Sequence, residues 1–354
     1  ARVSDMRQSW LAFQPWDEHV ARFERMEKLT KEDIVRVANT YFGDNYVVGL
    51  RKDAPHSVPD IEKPELAAID IDPRRESEFA RELLGVEVAP IKPTFVDRDK
   101  DLRIVEAMEG VRLYYVKNPL NDLFSFSIDA PLGTRHDNTL NLAASLYTKS
   151  GTDKLSPEAL QQEWYKLGTN MGFGAGDEDV SISISGLDEN FAASMTLLHD
   201  AIHTPQAPPE TLDELKKIVL VQREDAQKEA QSISQAVVQF NRYGDESDFL
   251  TRMTNEEIQG ISAETLYQNA QNVLHYEQNV SYVGTLPLED VIAAIKTFYG
   301  ERKDVKEAPE VANRLARTPE QTEIYFHHKE AAQAQIRLEF GSGFYSEGLN
   351  PTIQ

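Results

Sequence analysis

The chain has 354 residues, 40% of them hydrophobic, with 37 Lys and Arg against 59 Asp and Glu for a net charge of −22. That length exceeds one ordinary domain of roughly 100–200 residues, and so acidic a surface makes nucleic acid a poor partner. No apolar run reaches the roughly 18 residues of a membrane span, and the absence of cysteine rules out disulfides, thiol nucleophiles and Cys-ligated zinc.

Ala1-Arg2-Val3-Ser4 is neither an initiator methionine nor a signal peptide with an apolar centre. The chain stops at Pro351-Thr352-Ile353-Gln354, just after a glycine-punctuated, strand-like run, so a piece of a longer protein is expected. A cysteine-free sequence suits the periplasm and the cytosol equally. Residues 17–28 have helical spacing, with Val20, Phe23 and Met26 on one face. Thr30-Lys31-Glu32-Asp33 is a capping signal that opens a helix with Ile34, Val37, Ala38 and Tyr41 inward. The helix stops at Gly43, and Tyr46–Leu50 reads as a strand. Residues 53–100 lose periodicity, are broken by Pro55, Pro59, Pro64, Pro73, Pro90 and Pro93, and read as a linker.

A second unit starts near Leu102. Leu102–Val105, Val111–Val116 and Phe124–Ile128 are strand-like, separated by turns at Glu109-Gly110 and Asn118-Pro119. A helix covers about 137–149, and another is capped by Ser156, has Pro157 at its first position and ends at Gly168. Gly172–Gly176 follows a helix, leads into a strand and is trailed by Asp177-Glu178-Asp179. It lacks the helix N-terminus and positive charge of a phosphate loop and reads as a flexible turn. Val180–Leu187 alternates Val and Ile with Ser, a half-buried strand, and residues 188–203 and 209–240 are two further helices. Strands and helices mix without a βαβ rhythm, which predicts an α+β fold.

An internal repeat organises these elements. Leu29-Thr30-Lys31-Glu32-Asp33-Ile34, Ala38, Phe42 and Val47-Val48-Gly49 align with Ile261-Ser262-Ala263-Glu264-Thr265-Leu266, Ala270, Leu274 and Tyr282-Val283-Gly284, at an offset of 232 through the helix. Residues 1–52 are then the tail of one unit, 101–308 a whole unit, and 309–354 the start of the next.

This duplicated α+β unit resembles the pitrilysin-like (insulinase-type) zinc metallopeptidases, the family of insulysin and the mitochondrial processing peptidase. The resemblance rests on Asn279–Gly284 with the helix to Phe298-Tyr299-Gly300, on Lys149-Ser150-Gly151-Thr152 with Ser156, and on Leu197-Leu198-His199-Asp200 with Pro205. The family's chemistry needs H-x-x-E-H on a helix: two His one turn apart hold zinc, and the Glu deprotonates the bound water. None of the eight histidines stands in that motif. Counted back from Gly151-Thr152, its positions fall on Leu142-Ala143-Ala144-Ser145-Leu146, and Glu224 lies near the place of the third ligand.

The resemblance thus implies a degenerate copy in the non-catalytic half of a zinc endopeptidase that cleaves peptides or unfolded polypeptides. Zinc would belong to the parent protein, with none in this chain. The partners implied are a peptide substrate and either a missing N-terminal half or a catalytic partner subunit. The alternative is a partner subunit or scaffold without hydrolytic activity. The resemblance also implies an Arg and a Tyr near the start of the last domain that reach the cleaved bond, and Arg337 and Tyr345 stand there with compatible spacing. The residues alone fit equally well an ordinary strand with a surface Arg and a packed Tyr.

Two rival metal sites lie in the sequence. His199-Asp200-Ala201-Ile202-His203 puts two His on one helical face, but with Asp where the longer Glu base belongs. His327-His328-Lys329-Glu330-Ala331 has Ala in place of the second ligand.

Overall fold

The computed structural model describes residues 2–50, 62, 72, 75–90, 92, 93, 95, 97–302, 304–310, 314–330 and 333–340. The chain divides into two compact units, Ala1–Ala89 and Pro90–Gln354.

The first unit is helical: α1 (Arg2–Leu11), α2 (Trp16–Val20), α3 (Arg22–Glu27), α4 (Lys31–Tyr41) and α5 (Glu78–Leu84). The helix expected over 17–28 breaks at Ala21 into α2 and α3. Thr30 caps α4 as its sequence predicts: its Oγ1 accepts from the Asp33 N–H at 3.2 Å while the Asp33 carboxylate accepts from the Thr30 N–H. Yet among the unit's described residues only Ser9 is buried. Ile34, Val37 and Tyr41, the inward stripe of α4, are exposed, and Val47 is 99% exposed. No strand forms over residues 46–50, because a strand needs a neighbour to take its backbone hydrogen bonds.

Within the second unit, strands pair with one another. In chain order it has α6 (Arg98–Asp101), β1 (Arg103–Met108), β2 (Val111–Lys117), β3 (Leu123–Ala130), α7 (Leu140–Tyr147), β4 (Gly151–Thr152), α8 (Pro157–Lys166), β5 (Asn170–Ala175) and β6 (Val180–Leu187). Then follow α9 (Phe191–His203), β7 (Pro205–Gln206), α10 (Pro209–Ala226), α11 (Ala230–Tyr243), α12 (Asp248–Thr251), α13 (Asn255–Gly260), α14 (Ala263–Asn272), β8 (Gln278–Gly284) and α15 (Leu288–Tyr299). Ser156 caps α8 by accepting from the Ala159 N–H, and Gly168 ends the segment at φ +58, a left-handed conformation that suits glycine. The single helix expected over 209–240 is two, α10 and α11, separated by residues 227–229.

Six strands form one sheet in the order β1-β2-β8-β3-β6-β5, antiparallel throughout except for the parallel pair β2/β8. This is the expected α+β class. The Glu109-Gly110 turn makes a β1–β2 hairpin, but Asn118-Pro119 does not join neighbours, because β8 lies between β2 and β3. One face carries Leu113, Tyr115, Phe126, Ile128, Ile182, Ile184, Val280 and Tyr282 into the core. Helices α7, α9, α14 and α15 contribute Leu146, Leu198, Leu266 and Ile295 to the same core. The other face keeps Ser125, Ser127, Ser181, Ser183, Ser185 and Ser281 at least partly open to solvent, the alternation of an antiparallel sheet with one wet side.

The two aligned segments share a helix cap but not burial. α14 is capped by Ser262 as α4 is by Thr30, and its Leu266 and Ala270, which align with Ile34 and Ala38, are buried, whereas Ile34 is exposed. At the end of β8 the close approach of two buried groups demands a glycine. Tyr282 donates its hydroxyl to Asp188 at 2.7 Å, and Asp188 also accepts from the Thr285 N–H at 2.8 Å. A Cβ on Gly284 would lie 2.1 Å from the Tyr282 hydroxyl oxygen.

Candidate functional site

Leu142 and Leu146 lie one turn apart on α7, on the helical face where a pair of zinc-binding histidines would project. Both are buried, and α7 packs against α14 and the edge strand β5. Tyr147 seals the same side: its ring stacks on Phe173 with centroids 4.7 Å apart, and its hydroxyl donates to the Ile202 carbonyl. Ser145 is exposed and donates to its own helix at the Asn141 carbonyl. Hydrocarbon therefore stands at the positions to which the resemblance assigns the ligands, and Ser145 faces solvent. α10 does pack against α7, but Glu224 is exposed and ion-paired with Lys228 at 2.9 Å. These positions do not fit zinc. Among the described residues no group of three or more His, Asp or Glu is placed to hold a metal.

The rival pair on α9 is committed elsewhere. The His199 and His203 rings lie 4.6 Å apart, and His203 Nε2 donates to the Phe298 carbonyl at 3.2 Å, at the end of α15. Burial, reinforced by the neighbouring His199, holds the His203 imidazole below its ordinary pKa. His199 Nδ1 sits 3.3 Å from Asp200, whose other oxygen takes Lys154 Nζ at 2.8 Å. The Lys154 bond keeps the Asp200 carboxyl below the usual carboxylate range. The pair is a seam between α9 and α15. His327 and His328 are exposed, in a stretch without helix.

Gly172–Ala175 belongs to strand β5, and the turn lies beyond it at residues 176–179. The run is therefore mostly strand, where the sequence predicts a flexible turn. Arg135 fixes that turn by pairing with Asp177 at 2.7 Å and Glu178 at 3.0 Å. Arg337 is exposed, in the alternating run Gln335–Phe340, where Ile336, Leu338 and Phe340 are exposed too. Its neighbour Glu339 is held by Arg242 at 2.7 Å and Asn241 at 2.9 Å. Tyr345 lies outside the described residues.

No family model and no curated protein sequence matches the chain. Solved structures do. The inactive domain of an M16 peptidase from Pseudomonas fluorescens aligns over 60% of this chain and 53% of its own, at 15% identity and a TM-score of 0.52. A variant of the ferredoxin protease FusC, solved in complex with Arabidopsis ferredoxin, aligns over 89% of this chain and 37% of its own, at 13% identity and a TM-score of 0.55. The periplasmic protease PqqL from Escherichia coli aligns over the same shares, at 14% identity and a TM-score of 0.52.

The fold is that of the M16 peptidases. At such low identity the likeness is one of architecture, and the chain spans about half the length of the first M16 neighbour and little over a third of the two proteases. The M16 fold is the pitrilysin-like architecture that the sequence resembles.

Proposed function

We propose that this chain is a non-catalytic portion of an M16-type zinc endopeptidase, forming the half that encloses a peptide or unfolded polypeptide opposite a zinc-bearing unit outside this chain. One observation carries the reading: Leu142 and Leu146, at the positions to which the resemblance assigns the zinc ligands, are buried in the core. The capture of ferredoxin by FusC makes a polypeptide the natural class of ligand.

In the same reading residues 1–52 close a preceding domain, 53–100 link it to 101–308, and 309–354 begin the last domain. The exposed stripe of α4 supports the first assignment, since a capped amphipathic helix with its apolar side open matches α14 stripped of its sheet. A bridge between Tyr276 and Lys306, with Arg302 bonded to the Leu274 and Tyr276 carbonyls, supports closure of the middle unit near residue 306.

Arg337 and Tyr345 are the residues proposed to reach the substrate. A guanidinium and a phenol each donate to a peptide carbonyl as it becomes an oxyanion. In the active assembly, Arg337→Ala and Tyr345→Phe are each expected to lower kcat by about 100-fold while KM stays nearly constant. Steady-state hydrolysis of a fluorogenic peptide measures both constants, and an unchanged kcat in both variants removes the pair from the site.

A further inference from the structure

α11 ends at Gly244 (φ +59), and the stretch from Arg314 to Tyr325 returns along its last turns. Arg317 N–H donates to the Arg242 carbonyl at 2.7 Å. Arg314 pairs with Asp248 at 2.7 Å and lies 4.4 Å from the centre of the Tyr243 ring. Tyr325 meets Phe240 edge to face, with centroids 5.3 Å apart. Between these elements lies a cleft of about 660 Å³. Phe240, Tyr243, Leu315 and Tyr325 contribute its apolar walls, with Asp245 and Glu246 among the other residues that line it.

The charges in this cleft do not balance. Arg317 lines it too, but its guanidinium is spent on neighbours: one nitrogen donates to the Tyr325 hydroxyl and another to Glu323, each at 2.8 Å. Asp245 and Glu246 are exposed, and neither carboxylate has a side-chain partner among the described residues. An aromatic wall beside two uncompensated carboxylates suits a long hydrocarbon stem with a cationic head, which gains apolar contact along the stem and charge pairing at its tip. An acidic side chain would meet like charge, and a purely apolar one would leave the carboxylates unpaired.

We propose that this cleft binds a lysine or arginine side chain of an extended peptide, with its stem against Phe240, Leu315 and Tyr325 and its head between Asp245 and Glu246. The site follows from local chemistry and stands whether or not the peptidase reading holds. Three fluorescein-labelled Gly-Ser decapeptides, carrying one central arginine, norleucine or glutamate, test it by anisotropy at low salt. The arginine peptide is expected to bind at least 10-fold tighter than the other two. The double variant Asp245→Asn, Glu246→Gln is expected to reduce it to the norleucine level. Asp213→Asn, Glu214→Gln on α10 removes the same net charge and is expected to leave binding intact; unfolding midpoints of both double variants show that the fold persists. No binding of the arginine peptide, equal binding of the norleucine peptide, or equal weakening by the α10 variant would each overturn the assignment.

Discussion

Leu146→His is expected to cost about 4 kcal/mol of stability, the sum of a lost core side chain and a buried imidazole without a partner. Leu146 is fully buried on α7, and the helix is wedged between α14 and β5. For a unit of this size the loss corresponds to a fall in Tm of about 8–16 °C, readable by circular dichroism. Ser145→Glu, on the exposed side of the same helix, is expected to stay within about 0.5 kcal/mol of the parent. The triple variant Leu142→His, Ser145→Glu, Leu146→His rebuilds the H-x-x-E-H motif. Added zinc should not restore its Tm, because Glu224 is turned to solvent and paired with Lys228. A zinc-dependent rise in Tm would show that α7 can present ligands after all.

Asp188→Ala is the second large effect, expected at about 3 kcal/mol. It removes the acceptor of the Tyr282 hydroxyl and of the Thr285 N–H together, and hydrogen bonds to a charged acceptor contribute about 1.5–3 kcal/mol each. Leu286 N–H donates to the same Tyr282 oxygen, and Tyr115 donates to the Leu286 carbonyl, so one carboxylate organises the whole exit from β8. Burial, with the bond to Asp188, pushes the Tyr282 phenol well above its ordinary pKa and keeps it a donor. Asp188→Asn retains an oxygen acceptor and is expected to lose about 1 kcal/mol. Urea midpoints separate the two, and equal losses would mean that the charge contributes nothing.

The elements that local chemistry controls were legible in the sequence. Thr30, Ser156 and Ser262 are caps because a hydroxyl before an amphipathic run satisfies a helical N–H. Val180–Leu187 alternates because one of its faces is wet. Neighbour relations were not legible: nothing in β2 or β3 says that β8, arriving more than a hundred residues later, fills the space between them. Gly172 and Gly174 read as a turn because glycine weakens a strand, yet the hydrogen bonds of β6 hold them in β5. The break at residues 227–229 carries neither Gly nor Pro to announce it.

For the site, the resemblance drew attention to α7, and burial explains why Leu suits those positions. The cleft by α11 went unread because Leu315, Arg317 and Tyr325 come from a stretch without periodicity. The pair Phe240 and Tyr243, three apart at a helix end followed by Asp245-Glu246, was its one local sign.

With Leu142 and Leu146 buried on α7, the chain is expected to hold no working zinc site of its own. The direct measurement is zinc content by atomic spectroscopy after dialysis of the purified chain against zinc, with hydrolysis of a quenched fluorogenic peptide followed in the same sample. Neither stoichiometric zinc nor zinc-dependent cleavage is expected. One zinc per chain, lost together with peptide hydrolysis on His203→Ala, would contradict that expectation.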